Sequence, residues 1–226
     1  MEKFEPIFSF KIGSIPIDIG RDIIVQWVII LILGIISYLL TRNLKKIPDK
    51  KQSALELFYT TVADLVEGNM GESFRNFIPY VGSLMIFLLT MNFTGLVGVA
   101  PPTKNLSVTV ALAISSFLVV NGTAIKRNGF GHYLKGYAEP FIPMLPLNIM
   151  ERVVLPVSLA LRLFGNMLAA TILVELVYEA LGHFGVIFKV GAPIIVHGYF
   201  DMFDGGIQMI VFTMLTIINI KLISEH

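Results

Sequence analysis

The sequence predicts an all-α integral membrane protein. It should contain about five membrane helices plus an amphipathic surface helix, with the last two helices forming a long, strongly tilted hairpin. Two observations predict this class. Hydrophobic residues make up 55% of the chain and charged residues only 15%, whereas an ordinary soluble domain carries about 25% charge. The mean hydropathy of +0.77 comes from recurrent apolar runs, each long enough for the roughly 20 residues that cross a bilayer. The 226 residues have room for five or six such runs at about 20 residues each. No internal repeat or low-complexity tract divides them, so residues 1–226 read as one domain.

Residues 1–22 mix Glu2, Lys3, Glu5, Lys11, Asp18, Arg21 and Asp22 with short apolar runs and read as an extracytoplasmic N-terminal segment. That order is wrong for a cleavable leader. The first span is Ile23 to Leu40, with Trp27 and Tyr38 as interface anchors. A cationic loop follows (Arg42, Lys45, Lys46, Lys50, Lys51). Residues 52–68 interleave Leu55, Phe58, Val62 and Leu65 with Glu56, Asp64 and Glu67, the pattern of a helix lying at the membrane surface. The second span runs from about Phe77 to Val99 and ends at Pro101-Pro102-Thr103. The third covers about Leu106 to Ile125, which makes residues 23–125 three spans plus the interfacial helix. Asn105, Ser107 and Thr109 follow the proline turn and read as helix-capping residues.

Lys126, Arg127, His132 and Lys135 form a second cationic loop. The fourth segment opens at Pro143 and Pro146 and continues to about Gly182. After a loop at 183–193 the last segment runs from about Ile194 to Ile223. Both final segments far exceed the length needed to cross and must tilt or lie partly in the membrane plane. If spans one to three each cross once, both cationic loops fall on one side. By the positive-inside rule that side is cytoplasmic, so the N-terminus is outside and the C-terminus inside.

Arg162 is the most telling residue. It lies in Leu159-Ala160-Leu161-Arg162-Leu163-Phe164-Gly165-Asn166-Met167. A guanidinium stays charged at any accessible pH, and holding it at mid-membrane costs roughly 2.5–3.5 kcal/mol on insertion scales. Such a charge belongs where it meets a partner, an ion or a water-filled path. On a helix, Ser158, Arg162, Asn166 and Ala169 share one face. Thr171, Glu175 and Glu179 form a second stripe about half a turn away. In the last segment His197, Asp201, Asp204 and Gln208 are spaced to share a face, and Asn219 returns to the same angle. Folding the hairpin about residue 186 sets His197 opposite Glu175, Asp201 opposite Thr171, and Gln208 near the level of Arg162. A polar seam of this kind can pass ions or hold a solute. The plainer alternatives are snorkelling of Arg162, solvation of Glu179 and His183 by the loop, and capping at Gly205-Gly206 by Asp201 and Asp204.

Several function classes are disfavoured. A net charge of +1 without a basic patch points away from nucleic acid. Zero cysteines exclude disulfides and thiolate metal sites. The four histidines (132, 183, 197 and 226) lack metal-motif spacing, and neither a metal nor a cofactor is expected. An intramembrane hydrolase has no nucleophile–base motif here, a secondary transporter would show repeats, and an inert scaffold has no use for Arg162. No phosphate-binding loop is present.

The run Pro156-Val157-Ser158-Leu159-Ala160-Leu161-Arg162-Leu163-Phe164-Gly165-Asn166-Met167 resembles the signature of the a subunit of F-type ATP synthases, in its bacterial form. Agreement extends to Pro101-Pro102-Thr103, to Leu147-Asn148-Ile149-Met150-Glu151 and to Gly206-Ile207-Gln208, so it covers nearly the whole chain. The resemblance implies a stationary subunit, not an enzyme by itself, in a bacterial cell membrane. It would face a ring of c subunits and join a b-subunit peripheral stalk and the rest of the complex. It implies that Arg162 faces a ring carboxylate, that Gln208 and Asn166 are the polar residues near the arginine, and that Glu151 lies near the cytoplasmic access. Residues 143–223 would then be the ion-channel hairpin. Where some members carry an acid nine positions after the arginine and a histidine seven before the glutamine, this chain has Thr171 and Asp201. Glu175, His197 and Asp201 are therefore expected to line the outer half-channel, with Asp204 a further candidate. The ion is a proton or sodium.

Overall fold

The computed structural model describes residues 8–12, 15–137, 141–182 and 198–225. Six α-helices of seven residues or more are described up to Gly182: α1 Arg21–Thr41, α2 Lys50–Met70, α3 Ile78–Asn92, α4 Leu106–Asn128, α5 Phe130–Gly136 and α6 Leu145–Gly182. A π-helical segment, Gly198–Asp204, then leads directly into α7, Gly205–Glu225. Five stretches are long and apolar enough to cross a membrane: Arg21–Thr41, Glu72–Val97, Leu106–Asn128, Leu145–Leu181 and Gly198–Ser224. The expected five spans and surface helix are all present. One feature was not foreseen. Phe8–Ile12 (β1) and Ile15–Ile19 (β2) form an antiparallel two-stranded hairpin ahead of α1, with Phe8 paired to Ile19.

Local sequence explains the boundaries. Asn105 caps α4: its Oδ1 accepts from the Ser107 backbone N–H at 3.0 Å, the capping role expected of this stretch. Its Nδ2 also donates to Asp22 Oδ2 at 2.8 Å, tying the start of α1 to the start of α4. Gly71 ends α2 at φ 93° and Gly129 ends α4 at φ 78°. Each adopts a conformation that favours glycine, and each donates its N–H back into the last turn at 2.9 Å.

Helix α4 is the hub, packed along α6 and α7, while α3 also lies along α7. Small residues on α4 (Ala113, Ser116 and Ala124, all buried) let these neighbours approach closely. Two apolar clusters fill the bundle. One joins α2 to α3 and α7 through Val62, Val66, Phe74, Val81, Ile217 and Ile220. The other lies further along α3, α6 and α7 around Leu88, Met91, Leu163 and Phe212. Helix α2 therefore buries one stripe against the bundle and leaves Lys50, Lys51, Leu57 and Tyr59 exposed, as an interfacial helix should. Helix α1 is peripheral: only 6% of its apolar window is buried against the protein. The exposed Trp27, Val28, Leu31 and Ile35 are what a lipid-facing span presents.

Polar ties close the end of the bundle that carries the C-terminal end of α7. Lys221 Nζ donates to the Asn69 carbonyl at 3.0 Å, and Asn128 Nδ2 donates to the Ser224 carbonyl at 3.1 Å. The Arg127 guanidinium lies 3.8 Å over the Phe74 ring. Helix α5 is held by Tyr133, whose hydroxyl donates to Asn121 Oδ1 at 2.6 Å and lies 2.7 Å from the Tyr137 hydroxyl. Arg152 of α6 stacks over both rings, 5.0 Å from Tyr133 and 4.5 Å from Tyr137.

Candidate ion-translocation site

Helix α6 is 38 residues long, about 57 Å at 1.5 Å per residue. The hydrocarbon core is only about 30 Å thick, so α6 tilts strongly if it stays in the bilayer. Pro156 lies inside it, removing one backbone N–H and freeing the carbonyl four residues earlier. Beyond Pro156 the helix divides into two faces. Leu159, Leu163, Met167, Ala170 and Val174 are buried against the bundle. Arg162, Asn166 and Ala169 are exposed on the other face, with Ser158 half-buried. This is the shared face that the spacing predicts. Arg162 makes no ion pair or hydrogen bond to any described residue. Its charge is presented outward from a helix too apolar to solvate it.

Gln208 of α7 is buried and reaches α6, where its Oε1 accepts from Asn166 Nδ2 at 2.7 Å. The hairpin thus joins Gln208 to the polar residue one turn beyond Arg162. Gln208 Nε2 is buried and has no partner among the described residues. The amide pair is neutral and lies beside an exposed cation, an arrangement that can orient a guanidinium without neutralising it.

The acidic positions behave differently from one another. Glu151 is exposed near the N-terminal end of α6. Glu175 and Glu179 are exposed along its far half, and Thr171 is half-buried, with its hydroxyl donating to the Met167 carbonyl of its own helix at 2.8 Å. Asp201 is 6% exposed. It sits in the π-helical segment, and this changes the expected stripe. A π turn holds more residues than an α turn, so α-helical spacing does not carry across Gly198–Asp204. Asp201 and Gln208 point inward, whereas Asp204 is only half-buried. His183 and His197 lie outside the described residues.

Asp201 packs on α3's continuation, not only on the hairpin. Phe93–Val97 continues α3 as a 3₁₀ turn. A Cβ placed on Gly95 would lie 2.6 Å from Asp201 Cγ and 2.8 Å from its Oδ1, so the carboxylate fills the space a side chain would need. Beside it, Asn92 Nδ2 donates to the Gly205 carbonyl at 2.9 Å, and Thr103 Oγ1 donates to Asn92 Oδ1 at 3.1 Å. A Cβ on Gly205 would meet Asn92 Cβ at 3.0 Å, so this approach also depends on glycine. Asn92 and Gly95 are the residues that sequence reasoning missed, while Thr103 and Gly205 read in sequence only as part of a turn and of a capped glycine pair. The one usable signal was Asn92, a polar residue inside Leu89-Thr90-Met91-Asn92-Phe93 of an otherwise apolar span.

Residues 23–221 match the family model described as ATP synthase A chain. The chain belongs to that family. It is 34% identical over 218 residues to an ATP synthase subunit a of Moorella thermoacetica, covering 96% of this chain and 95% of the relative. It is 37% identical over 207 residues to an ATP synthase subunit a of Trichlorobacter lovleyi, covering 89% and 86%. It is also 31% identical over 241 residues to a protein of Propionigenium modestum named ATP synthase subunit a, sodium ion specific, covering 98% and 80%. Members of this bacterial family are non-catalytic, multi-pass membrane subunits that serve ion transport in ATP synthesis. The five apolar spans of this chain suit that role. No group of three or more His, Cys, Asp or Glu able to hold a metal occurs among the described residues.

Proposed function

We propose that Arg162 is the fixed stator charge of an F-type ATP synthase, facing the carboxylates of a rotating c-subunit ring. On this reading the chain provides two ion half-channels that reach the ring at different places. The carrying observation is the exposed guanidinium on the outward face of α6, which pairs with no other described residue. A charge there is expensive unless an acidic partner outside the chain meets it.

The physical sequence follows from that charge. An ion enters the outer half-channel, lined by Glu175, Asp201 and His197 with Asp204 and Thr171 alongside, and neutralises a ring carboxylate. The neutral carboxyl can then travel through lipid. When it returns to Arg162, the opposite charge favours its ionised form. At 4 Å and an effective dielectric of about 20, the attraction is about 4 kcal/mol before desolvation. The released ion leaves by the inner path near Glu151. Each elementary charge crossing 100 mV supplies roughly 2.3 kcal/mol. The fixed cation also blocks direct leakage between the two paths. Asn166 and Gln208 hold the neighbourhood of Arg162 in register without neutralising it. The N-terminus lies outside and the C-terminus in the cytoplasm, and a b-subunit peripheral stalk holds the chain against the turning ring.

The test is ATP-driven ion pumping in vesicles carrying the whole complex, wild type against Arg162→Ala, with sodium varied. Loss of pumping in an assembled complex is the expected result. A sodium requirement in the wild type would identify sodium as the ion, and pumping without sodium would identify the proton. Normal pumping by an assembled Arg162→Ala complex would refute the stator reading. The chain contains no cysteine, so Arg162→Cys also supplies a single thiol whose crosslinking to a ring subunit reports what faces it.

A further inference from the structure

On the opposite side of α6 from the exposed Arg162 face, a pocket of ≈ 10 Å³ opens between α4, α6 and α7. That is about one water-probe sphere, the smallest space in which a water molecule is accommodated. Its lining is apolar except for Ser116, Thr216 and Asn219. All three are buried, at 1%, 1% and 7% exposed.

Their hydrogen bonds are incomplete in a specific way. The Tyr80 hydroxyl donates to Ser116 Oγ at 3.2 Å, which leaves the serine proton free to be donated elsewhere. Thr216 donates to the Phe212 carbonyl at 2.9 Å, which leaves its oxygen able to accept. The Asn219 amide makes no hydrogen bond to any described residue, although it is more than nine-tenths buried and lines the pocket. Pro156 of α6 also lines the pocket and brings no backbone N–H to it. At membrane depth such groups are satisfied by neighbouring side chains or by ordered water.

We infer that this pocket is a resident water-binding site in which Asn219 and Ser116 hold one water molecule between α7 and α4. The donors and acceptors are neutral and match the two to four partners a buried water takes. No carboxylate lines the pocket, so the chemistry suits water and not a bound cation. Pro156 lies less than two turns before Arg162 on the same helix. The bridging water therefore sits against the part of α6 that leads to Arg162. It does so whatever the role of Arg162 itself.

The sign of a stability change decides between a wet and a dry pocket. In a dry pocket Asn219 is buried without a bond, and replacing it with leucine is neutral or stabilising. In a wet pocket leucine expels the water and leaves Ser116 without its acceptor. The experiment is thermal release of the subunit from the detergent-solubilised complex, for wild type, Asn219→Leu, Ser116→Ala and the double variant. The expected result is a lower release midpoint for Asn219→Leu, by about 2–4 °C if one hydrogen-bonded bridge is lost. A smaller second effect is expected once either residue is already changed. An unchanged or raised midpoint for Asn219→Leu, or strictly additive effects, would overturn the inference. If a variant fails to assemble, a high-resolution structure of the wild-type complex decides the matter. Water density within hydrogen-bond reach of both Asn219 and Ser116 supports it, and an empty or lipid-filled pocket refutes it.

Discussion

Replacing Gly95 with alanine should dislodge Asp201. The Gly95 backbone does not adopt a positive φ, so alanine fits its conformation and the obstacle is space alone. The added methyl would lie 2.6 Å from Asp201 Cγ and 2.8 Å from Oδ1, inside any tolerated carbon–oxygen contact. Overpacking of this kind costs about 1–3 kcal/mol, or very roughly 2–12 °C at the 2–4 °C per kcal/mol typical of chains of this size. Asp201 has the protein's most buried carboxylate among the described residues, so the relief available is to push it out of its cradle. The assay is a double-mutant cycle on the thermal release of the subunit from the complex, with Asp201→Ala as the second change. The penalty of Gly95→Ala should largely vanish once Asp201 is alanine. Equal penalties in both backgrounds, or none in either, would refute the packing argument. Pumping in the same vesicles tests the functional half separately. Both Gly95→Ala and Asp201→Asn should slow ion flow, and unchanged flow in the Asp201→Asn complex would remove Asp201 from the outer path.

Two further outcomes follow. Asn166→Ala should destabilise the contact between α6 and α7 by about 1–3 kcal/mol, because it removes the donor to a buried Gln208 whose Nε2 has no partner among the described residues. An unchanged release midpoint would show that water replaces the Asn166 donor. Tyr133 should titrate late. Burial, chiefly, and the hydrogen bond with Tyr137 push its hydroxyl up to about 12 from the ordinary 10.0, against a smaller opposing pull from Arg152. Because the raised value favours the neutral form in the folded state, its contribution to α5 docking is complete below pH 10 and is lost as pH rises through about 12. Ultraviolet tyrosinate titration of wild type against Tyr133→Phe checks this, and a wild-type midpoint near 10 at this position would contradict it.

The sequence alone carried the span count, the surface helix and the outward face of Arg162, for a physical reason. In a bilayer each helix satisfies its own backbone, so length and hydropathy fix the elements one at a time. Arg162, Asn166 and Ala169 share a face because α6 stays α-helical through them, and the period of a single regular helix is readable from spacing. Spacing failed where that regularity failed. The π-helical turn at Gly198–Asp204 separates Asp204 from the buried pair Asp201 and Gln208, and nothing in the residue pattern announces a wider turn. The strand pair Phe8–Ile12 and Ile15–Ile19 was equally hidden, since short mixed segments carry little periodic signal.

Contacts between helices were decided only in three dimensions. Asn166 meets Gln208 because α6 and α7 align across the hairpin. Asp201 rests on Gly95, and Asn92 bonds Gly205, because α3 and its 3₁₀ continuation run beside the last segment. A glycine reads in sequence as an absence of side chain, and what fills that absence belongs to another helix. Sequence therefore determined which charges this membrane protein must manage. The tertiary structure determined which neighbours manage them, since close packing between helices depends on side-chain shape at positions far apart in the chain.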